Sequence, residues 1–323
     1  MKDFAGKIAV ITGGGTGMGR ELARQLVAEG CNVAMCDVSA ENMAETKRLC
    51  EAGQLPQGLR ITTHVADVAD EAQVLRFRDN VLRQQNTDHV NLVFNNAGIG
   101  GGGSMVDNTR EQWERTFNIC WGGVYLCTRA FLPLLIKSTE GHLINTSSVN
   151  GFWATIGPGV PHTAYSAAKF AVKGFTEALI TDLRINAPHV KCSVVMPGHI
   201  GTSIAINSRI IQTGGQFDNM TPQEFAAART RMRAMGIDDT KMSDADIQTA
   251  AVDRARRFLE EAPTTAAQAA KIILDGVKAE RWRILVGRDA EMLDQRVRNA
   301  PEKAYEPDFF KSFAEEVGWQ IGR

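Results

Sequence analysis

The sequence predicts an α/β chain: a doubly wound parallel sheet with helices on both faces. Short β-branched runs alternate with amphipathic stretches of helical period along most of its length, the pattern of repeated βαβ units. The first run ends in a glycine-rich turn that opens a helix, and later runs end in Asp, Asn-Asn or Pro-Gly. In such a sheet the crossovers are right-handed and ligands collect beyond the carboxyl ends of the strands. The loops after Thr12, Asp37, Asp67, Phe94 and Ser148 are therefore expected to face one crevice.

Taken in order, residues 7–12 (KIAVIT) read as a first strand, 17–29 as a helix with Leu22, Ala23 and Leu26 on one side, and 31–37 as a second strand. A helix over 40–50, an alternating strand over 60–67, a helix over 70–84 and a strand over 91–94 follow. Residues 111–135 predict one long helix or two, 142–147 a strand, 164–183 a strong helix, 190–196 a strand and 282–286 a last strand. Residues 203–265 are polar, helix-prone and rich in Met, Arg and Asp, with no strand signal. They are expected to form an enlarged helical lid before the last strand, and 288–323 a helical C-terminal extension. With no repeat and no low-complexity segment, 1–323 is expected to be one domain.

The charge balance argues against several partners. Thirty-six basic residues face 37 acidic ones, a net charge of −1, and no basic block favours nucleic acid or an anionic membrane. Apolar runs such as 131–136 are too short to span a bilayer, and residues 1–6 carry two opposite charges rather than a signal peptide. The six cysteines are scattered without a CxxC pair and do not cluster with the six histidines. Reduced, buried thiols in a cytoplasmic protein with no metal site are expected.

The turn Gly13-Gly14-Gly15-Thr16-Gly17-Met18-Gly19 follows a strand and opens a helix. Glycines there let the backbone approach a pyrophosphate, and the helix offers it free N–H groups and a positive dipole end. Asp37 at the end of the second strand can accept hydrogen bonds from adenosine ribose hydroxyls and would repel a 2′-phosphate. Neither Thr16 nor Val38 is basic, so NAD is favoured over NADP. Ser39, rather than Asp37, is free to cap the next helix. Tyr165 and Lys169 stand i and i+4 on one helix face, with Ser148 upstream. A tyrosine with pKa about 10 becomes a useful base near 7 only if its phenolate gains roughly 4 kcal/mol, for which an ammonium and a cationic nicotinamide ring are suitable sources.

These residues make the chain similar to the short-chain dehydrogenase/reductase family, of the short rather than the extended type, with a Rossmann-type sheet. The match rests on TGGGTGMG from Thr12, Asp67 with Val68, NNAG at 95–98, Asn118, SSVNG from Ser147, YSAAK from Tyr165 and PGHIGT from Pro197. The resemblance implies a catalytic set of Asn118, Ser148, Tyr165 and Lys169. Tyr165 is the acid/base, Lys169 lowers its pKa and holds the nicotinamide ribose, Ser148 fixes the substrate oxygen, and the Asn118 backbone holds a relay water. It implies a cofactor set of Gly13, Thr16, Gly17, Met18, Gly19 and Asp37, with Asp67 and Val68 at the adenine and Asn95 and Ala97 beside its ribose. Tyr165 and Lys169 join that set, and Pro197, Gly198, Ile200 and Thr202 clamp the nicotinamide carboxamide.

The implied function is NAD-dependent interconversion of a secondary alcohol and a ketone, in a homo-oligomer (dimer or tetramer). The alternative is a catalytically silent NAD-binding regulator of the same fold. The interval between Ser148 and Tyr165 is longer than the family's and holds Phe152, Trp153, Pro158, Pro161 and His162. Phe152 and Trp153 are expected as pocket walls, or else as core anchors of that loop. A medium or bulky hydrophobic substrate is expected. His162 is read as a loop histidine outside the catalytic set.

Overall fold

The computed structural model describes residues 1–319 apart from 54, 56, 57, 158, 159, 215, 216, 218 and 235. Pro158, expected in the long loop, and residues 320–323 of the extension lie outside the described residues. The chain alternates from the start: β1 (Ile8–Thr12), α1 (Gly17–Ala28), β2 (Asn32–Asp37), α2 (Ala40–Glu51), β3 (Ile61–Val65), α3 (Glu71–Gln85) and β4 (Leu92–Asn95). Then come α4 (Arg110–Phe117), α5 (Gly123–Lys137), β5 (Gly141–Thr146), α6 (Thr163–Asn186) and β6 (Val190–Pro197). Next are β7 (Ile200–Gly201), α7 (Ile204–Thr213), α8 (Pro222–Ala234), α9 (Asp244–Glu260) and β8 (Thr264–Thr265). The chain ends with α10 (Ala266–Lys278), β9 (Arg283–Val286), α11 (Arg288–Asn299) and α12 (Pro307–Val317).

Seven strands pair in parallel in the order β3-β2-β1-β4-β5-β6-β9. The order reverses between β1 and β4, which opens a crevice at their carboxyl ends. Strand alternation divides the core. Ala9, Ile11, Val33 and Met35 face α1, α2 and α10, whereas Val10, Ala34, Cys36 and Val93 face α3, α5 and α6. The sheet is thus buried on both faces, as a parallel sheet must be. Ser39 does cap α2, its side chain accepting the Asn42 N–H at 3.2 Å.

Where one long helix or two is expected over 111–135, the helical run is continuous over 110–137, with a change of phase inside it. Asn118–Gly122 form one π turn between α4 and α5, in which the Gly123 N–H reaches the Asn118 carbonyl. The rod is apolar enough to cross a bilayer by length and composition, but 56% of its most apolar window is buried, and α5 packs on β4 and β5. The polar segment 203–265 holds α7, α8 and α9. The expectation of no strand there needs one correction. Thr264–Thr265 pair with Ile200–Gly201, too short a bridge to leave a periodic signal.

A third core lies apart from the sheet. Val149 and Trp153 of the loop after β5 pack with Leu293, Phe309, Phe313 and Trp319 of the extension. The extension therefore folds back onto the segment that follows Ser148.

Burial of His142 has a consequence for stability. Its Nε2 lies 2.7 Å from Ser193 Oγ, whose hydrogen is given to the Arg281 carbonyl at 2.6 Å. The ring must then donate through Nε2, which leaves a bare, unpartnered Nδ1. Desolvation pulls His142 down to about 4, and His64, packed on Phe77, also to about 4. An unfolded histidine takes a proton near pH 6.5, so between 6.5 and 4 the unfolded chain binds more protons and folding weakens as pH falls. The melting temperature is expected to hold above pH 6.5 and drop steadily below it. His142→Gln should flatten that drop, and an unchanged pH profile in the variant would count against it.

Candidate active site

The turn after β1 and the segment after β6 face each other across the crevice. A cavity of about 390 Å³ lies between them. Gly13, Thr16, Gly17, Met18, Asp37, Asp67, Val68, Ala97 and Thr202 line it, nine of the expected cofactor residues. Gly17 has φ +54, and a Cβ there would stand 3.1 Å from the Thr202 side chain, so the glycine keeps the turn open beneath the clamp. Both Asp37 oxygens are held by backbone. Oδ2 accepts the Gly15 N–H and Oδ1 the Ser39 N–H, each at 3.0 Å. Arg20 braces the same turn through the Gly15 carbonyl and Thr46. This lining, with its open glycine turn and fixed carboxylate, fits a dinucleotide.

Other expected residues sit elsewhere. Gly19 is buried against the Gly13 carbonyl and Asn96. Pro197, Gly198 and Ile200 do not line the cavity. The Ile200 side chain is in the sheet core, so its contribution to a clamp is backbone. Asn95 requires a correction. Its amide, 2% exposed, donates to Asn145 Oδ1 at 2.8 Å and Thr128 Oγ1 at 3.0 Å between β4, β5 and α5. Asn96 lines the cavity instead, its amide on the Thr12 and Gly13 carbonyls. Strand alternation already points Asn95 toward α5.

Sequence reasoning also missed Arg115 on α4 and four residues of α7: Ile204, Asn207, Ile210 and Ile211. The helix α7 lies across the cavity. Asn207 donates to Thr16 Oγ1 at 3.2 Å, Ser208 Oγ accepts the Gly100 N–H at 2.8 Å, and Gln212 donates to the Gly100 carbonyl at 2.6 Å. No motif marks these contacts, because they join segments about a hundred residues or more apart.

Beyond the inner end of the cavity stand Ser148, Tyr165 and Lys169. The Ser148 side chain stands close enough to the Tyr165 phenol to act on its proton affinity. Ser148 Oγ also accepts the Asn150 N–H at 3.1 Å. Lys169 Nζ lies 5.3 Å from the Tyr165 ring centroid and donates to the Thr146 carbonyl at 2.8 Å. A Cβ on Gly98 would stand 3.6 Å from that Nζ, which puts the amine beside the cavity lining. Ser147 gives its hydrogen to the Lys169 carbonyl at 2.7 Å and is therefore spent on packing, which leaves Ser148 as the free hydroxyl. Asn118 is exposed at the head of the π turn, its carbonyl already accepting one N–H.

The charges depart from expectation in one respect. Burial holds the Tyr165 phenol above its ordinary value, the Cys120 thiol pushes the same way, and the neighbouring Ser148 side chain pulls it down. Lys169 is held below its ordinary value, chiefly by burial. The reason is desolvation, the largest cause for both groups. His162 packs tilted against the Tyr165 ring, centroids 4.7 Å apart, and is pulled down to about 4 by burial, so it is neutral at pH 7. Phe152 and Trp153 are core anchors, not pocket walls. Trp153 is fully buried, with its indole N–H on the Ala304 carbonyl at 2.6 Å.

A profile for short chain dehydrogenase matches residues 7–211. The chain belongs to the short-chain dehydrogenase family. It is 35% identical over 298 residues to an oxidoreductase named SadH from Mycobacterium tuberculosis, covering 92% of each chain. It is 33% identical over 189 residues to meso-2,3-butanediol dehydrogenase from Serratia marcescens, covering 57% of this chain and 70% of that one. Among solved structures, a short-chain dehydrogenase/reductase from Burkholderia phymatum in complex with NAD superposes with a TM-score of 0.73 at 27% identity. That match covers 95% of this chain and 98% of the other. The protein is thus an oxidoreductase on a Rossmann-type fold.

Proposed function

We propose that this short-chain dehydrogenase interconverts a secondary alcohol and a ketone with NAD, on a medium or bulky hydrophobic substrate. The observation that carries the reading is the meeting of Ser148, Tyr165 and Lys169 next to Gly98, a residue of the cavity lined by the glycine turn and Asp37. A bound oxidised nicotinamide supplies the hydride acceptor and a positive charge. Ser148, its oxygen aligned by the Asn150 N–H, holds the substrate oxygen. Tyr165 takes the alcohol proton in oxidation and returns it in reduction. Lys169 spends one N–H on Thr146 and keeps two for ribose hydroxyls and for stabilising the phenolate. The Asn118 carbonyl has a second lone pair for a relay water. A silent regulator would have no need of Tyr165, Ser148 and Lys169 in this arrangement. The apolar lid residues Ile204, Ile210 and Ile211 support a hydrophobic substrate.

NAD over NADP follows from Asp37. A 2′-phosphate at that end of the cavity would meet a carboxylate fixed by two backbone N–H groups. Asp37→Ala is expected to lower the NAD-over-NADP ratio of kcat/KM by roughly ten- to a hundredfold, the scale of one charge repulsion at intermediate dielectric. The readout is near-ultraviolet absorbance of the reduced nicotinamide across a panel of secondary alcohols. An unchanged ratio would sink the NAD assignment, and turnover of small polar polyols alone would sink the substrate class.

We also propose a homo-oligomer in the cytoplasm. Tyr125 is exposed on α5 against Trp121 and Phe175, and Phe170 is exposed on α6, apolar surface suited to a second copy. All six cysteines are free and buried, as suits a reducing compartment.

A further inference from the structure

The segment after β6 carries the proposed nicotinamide clamp, and its rear contacts come from the C-terminal extension. Asp289 sits in the first turn of α11, 3% exposed. Its Oδ2 accepts two hydrogen bonds, from the His199 backbone N–H at 2.7 Å and from the Trp319 indole N–H at 2.9 Å. A Cβ on Gly198 would collide with this carboxylate, so the glycine is what lets the clamp approach so closely. No ion pair to Asp289 occurs among the described residues. Two N–H donors and the positive end of α11 hold its charge.

The clamp is tied on its other side as well. The His199 ring donates from Nε2 to the Phe258 carbonyl of α9 at 2.8 Å, and β7 pairs with β8 just after α9. Residues 197–202 are therefore suspended between the extension and the 203–265 segment. A buried carboxylate with no ion-pair partner adds little to stability, since a well-packed apolar residue in its place often does as well or better. What it supplies here is direction: a fixed acceptor that sets where the His199 N–H, and hence Ile200 and Thr202, must lie.

We propose that the C-terminal extension is a positioning element for the cofactor clamp, acting through Trp319 and Asp289 on His199. This rests on the dinucleotide reading above. Neither residue lines the cavity, so each acts on the cofactor only through residues 199–202, the stretch assigned to the nicotinamide. Trp319→Phe keeps the ring and deletes the N–H. Asp289→Asn keeps the shape and deletes the charge.

The test is calorimetric binding of NAD and of ADP-ribose, which lacks the nicotinamide, to wild type and both variants, with KM and kcat measured alongside. Each variant is expected to weaken NAD binding and raise its KM by roughly three- to tenfold, the loss of one charge-assisted hydrogen bond. ADP-ribose binding and kcat at saturating NAD should stay at the wild-type value. Unchanged NAD binding in both variants overturns the proposal, and so does an equal loss for both ligands, which would mark general damage. Wild type binding neither ligand overturns the dinucleotide reading and this inference with it, a failure visible before any variant is made.

Discussion

Tyr165→Phe is expected to lower kcat by roughly 10²- to 10⁴-fold, the contribution of positioned acid–base catalysis. The ring stays, so its packing against His162 and the Lys169 amine is kept and only the acidic oxygen is lost. NAD binding should weaken far less than kcat falls, by roughly a few-fold, because the phenol is one of many cofactor contacts whereas its proton transfer is made only in the transition state. Single-turnover absorbance with a substrate from the alcohol panel, paired with calorimetry, separates the two. A variant that keeps wild-type turnover would remove Tyr165 from the chemistry. A wild type that binds NAD but turns over no alcohol would return the weight to a silent regulator. Since burial holds the phenol above its ordinary value, oxidation by wild type is expected to accelerate with rising pH as the phenolate fraction grows.

Trp153→Ala is the second large effect. The indole is fully buried among Phe309, Phe310, Phe313 and Trp319, stacked on Phe310 at 6.0 Å and hydrogen-bonded to the Ala304 carbonyl. Truncating a buried Trp to Ala costs about 3 to 5 kcal/mol. The loss falls on the third core, so the extension should detach before the sheet melts. Limited proteolysis is expected to cut within 288–319 in the variant under conditions where wild type resists, with a lowered first thermal transition. Because Val149 of that core adjoins Ser148, kcat should fall as well. Equal protease resistance and an unchanged melt would show that the extension is held by something other than Trp153.

Much of this was readable from local pattern. β1 to β6 follow runs whose period and terminators are set by near neighbours, and the glycine turn and Asp37 reach the crevice because a doubly wound sheet sends strand ends there. Asn95 was misassigned where an available signal, the two-residue period of β4, puts it on the α5 side. Trp153 illustrates a different limit: an aromatic in a long loop has no period, and its burial depends on a tail some 150 residues later. The bonds from α7 to Thr16 and Gly100, and from Trp319 to Asp289, are tertiary pairings between single residues and leave no local trace. The direction of the Tyr165 shift was unreadable for an electrostatic reason, since spacing fixes the distance to Lys169 but not how much water each group loses.

The π turn at 118–122 makes the 110–137 rod a phase converter. One surplus residue is stored in a helix instead of a loop, and it rotates everything before it relative to everything after it by about 100°. In its present phase α4 shows Arg115 to the cavity while α5 shows Val124 and Thr128 to the sheet. Both halves cannot face their partners in an uninterrupted α-helix of one residue fewer. A loop of this chain could absorb a deleted residue, but a deletion across 118–122 would turn Arg115 away from the cavity or Val124 and Thr128 away from Asn95.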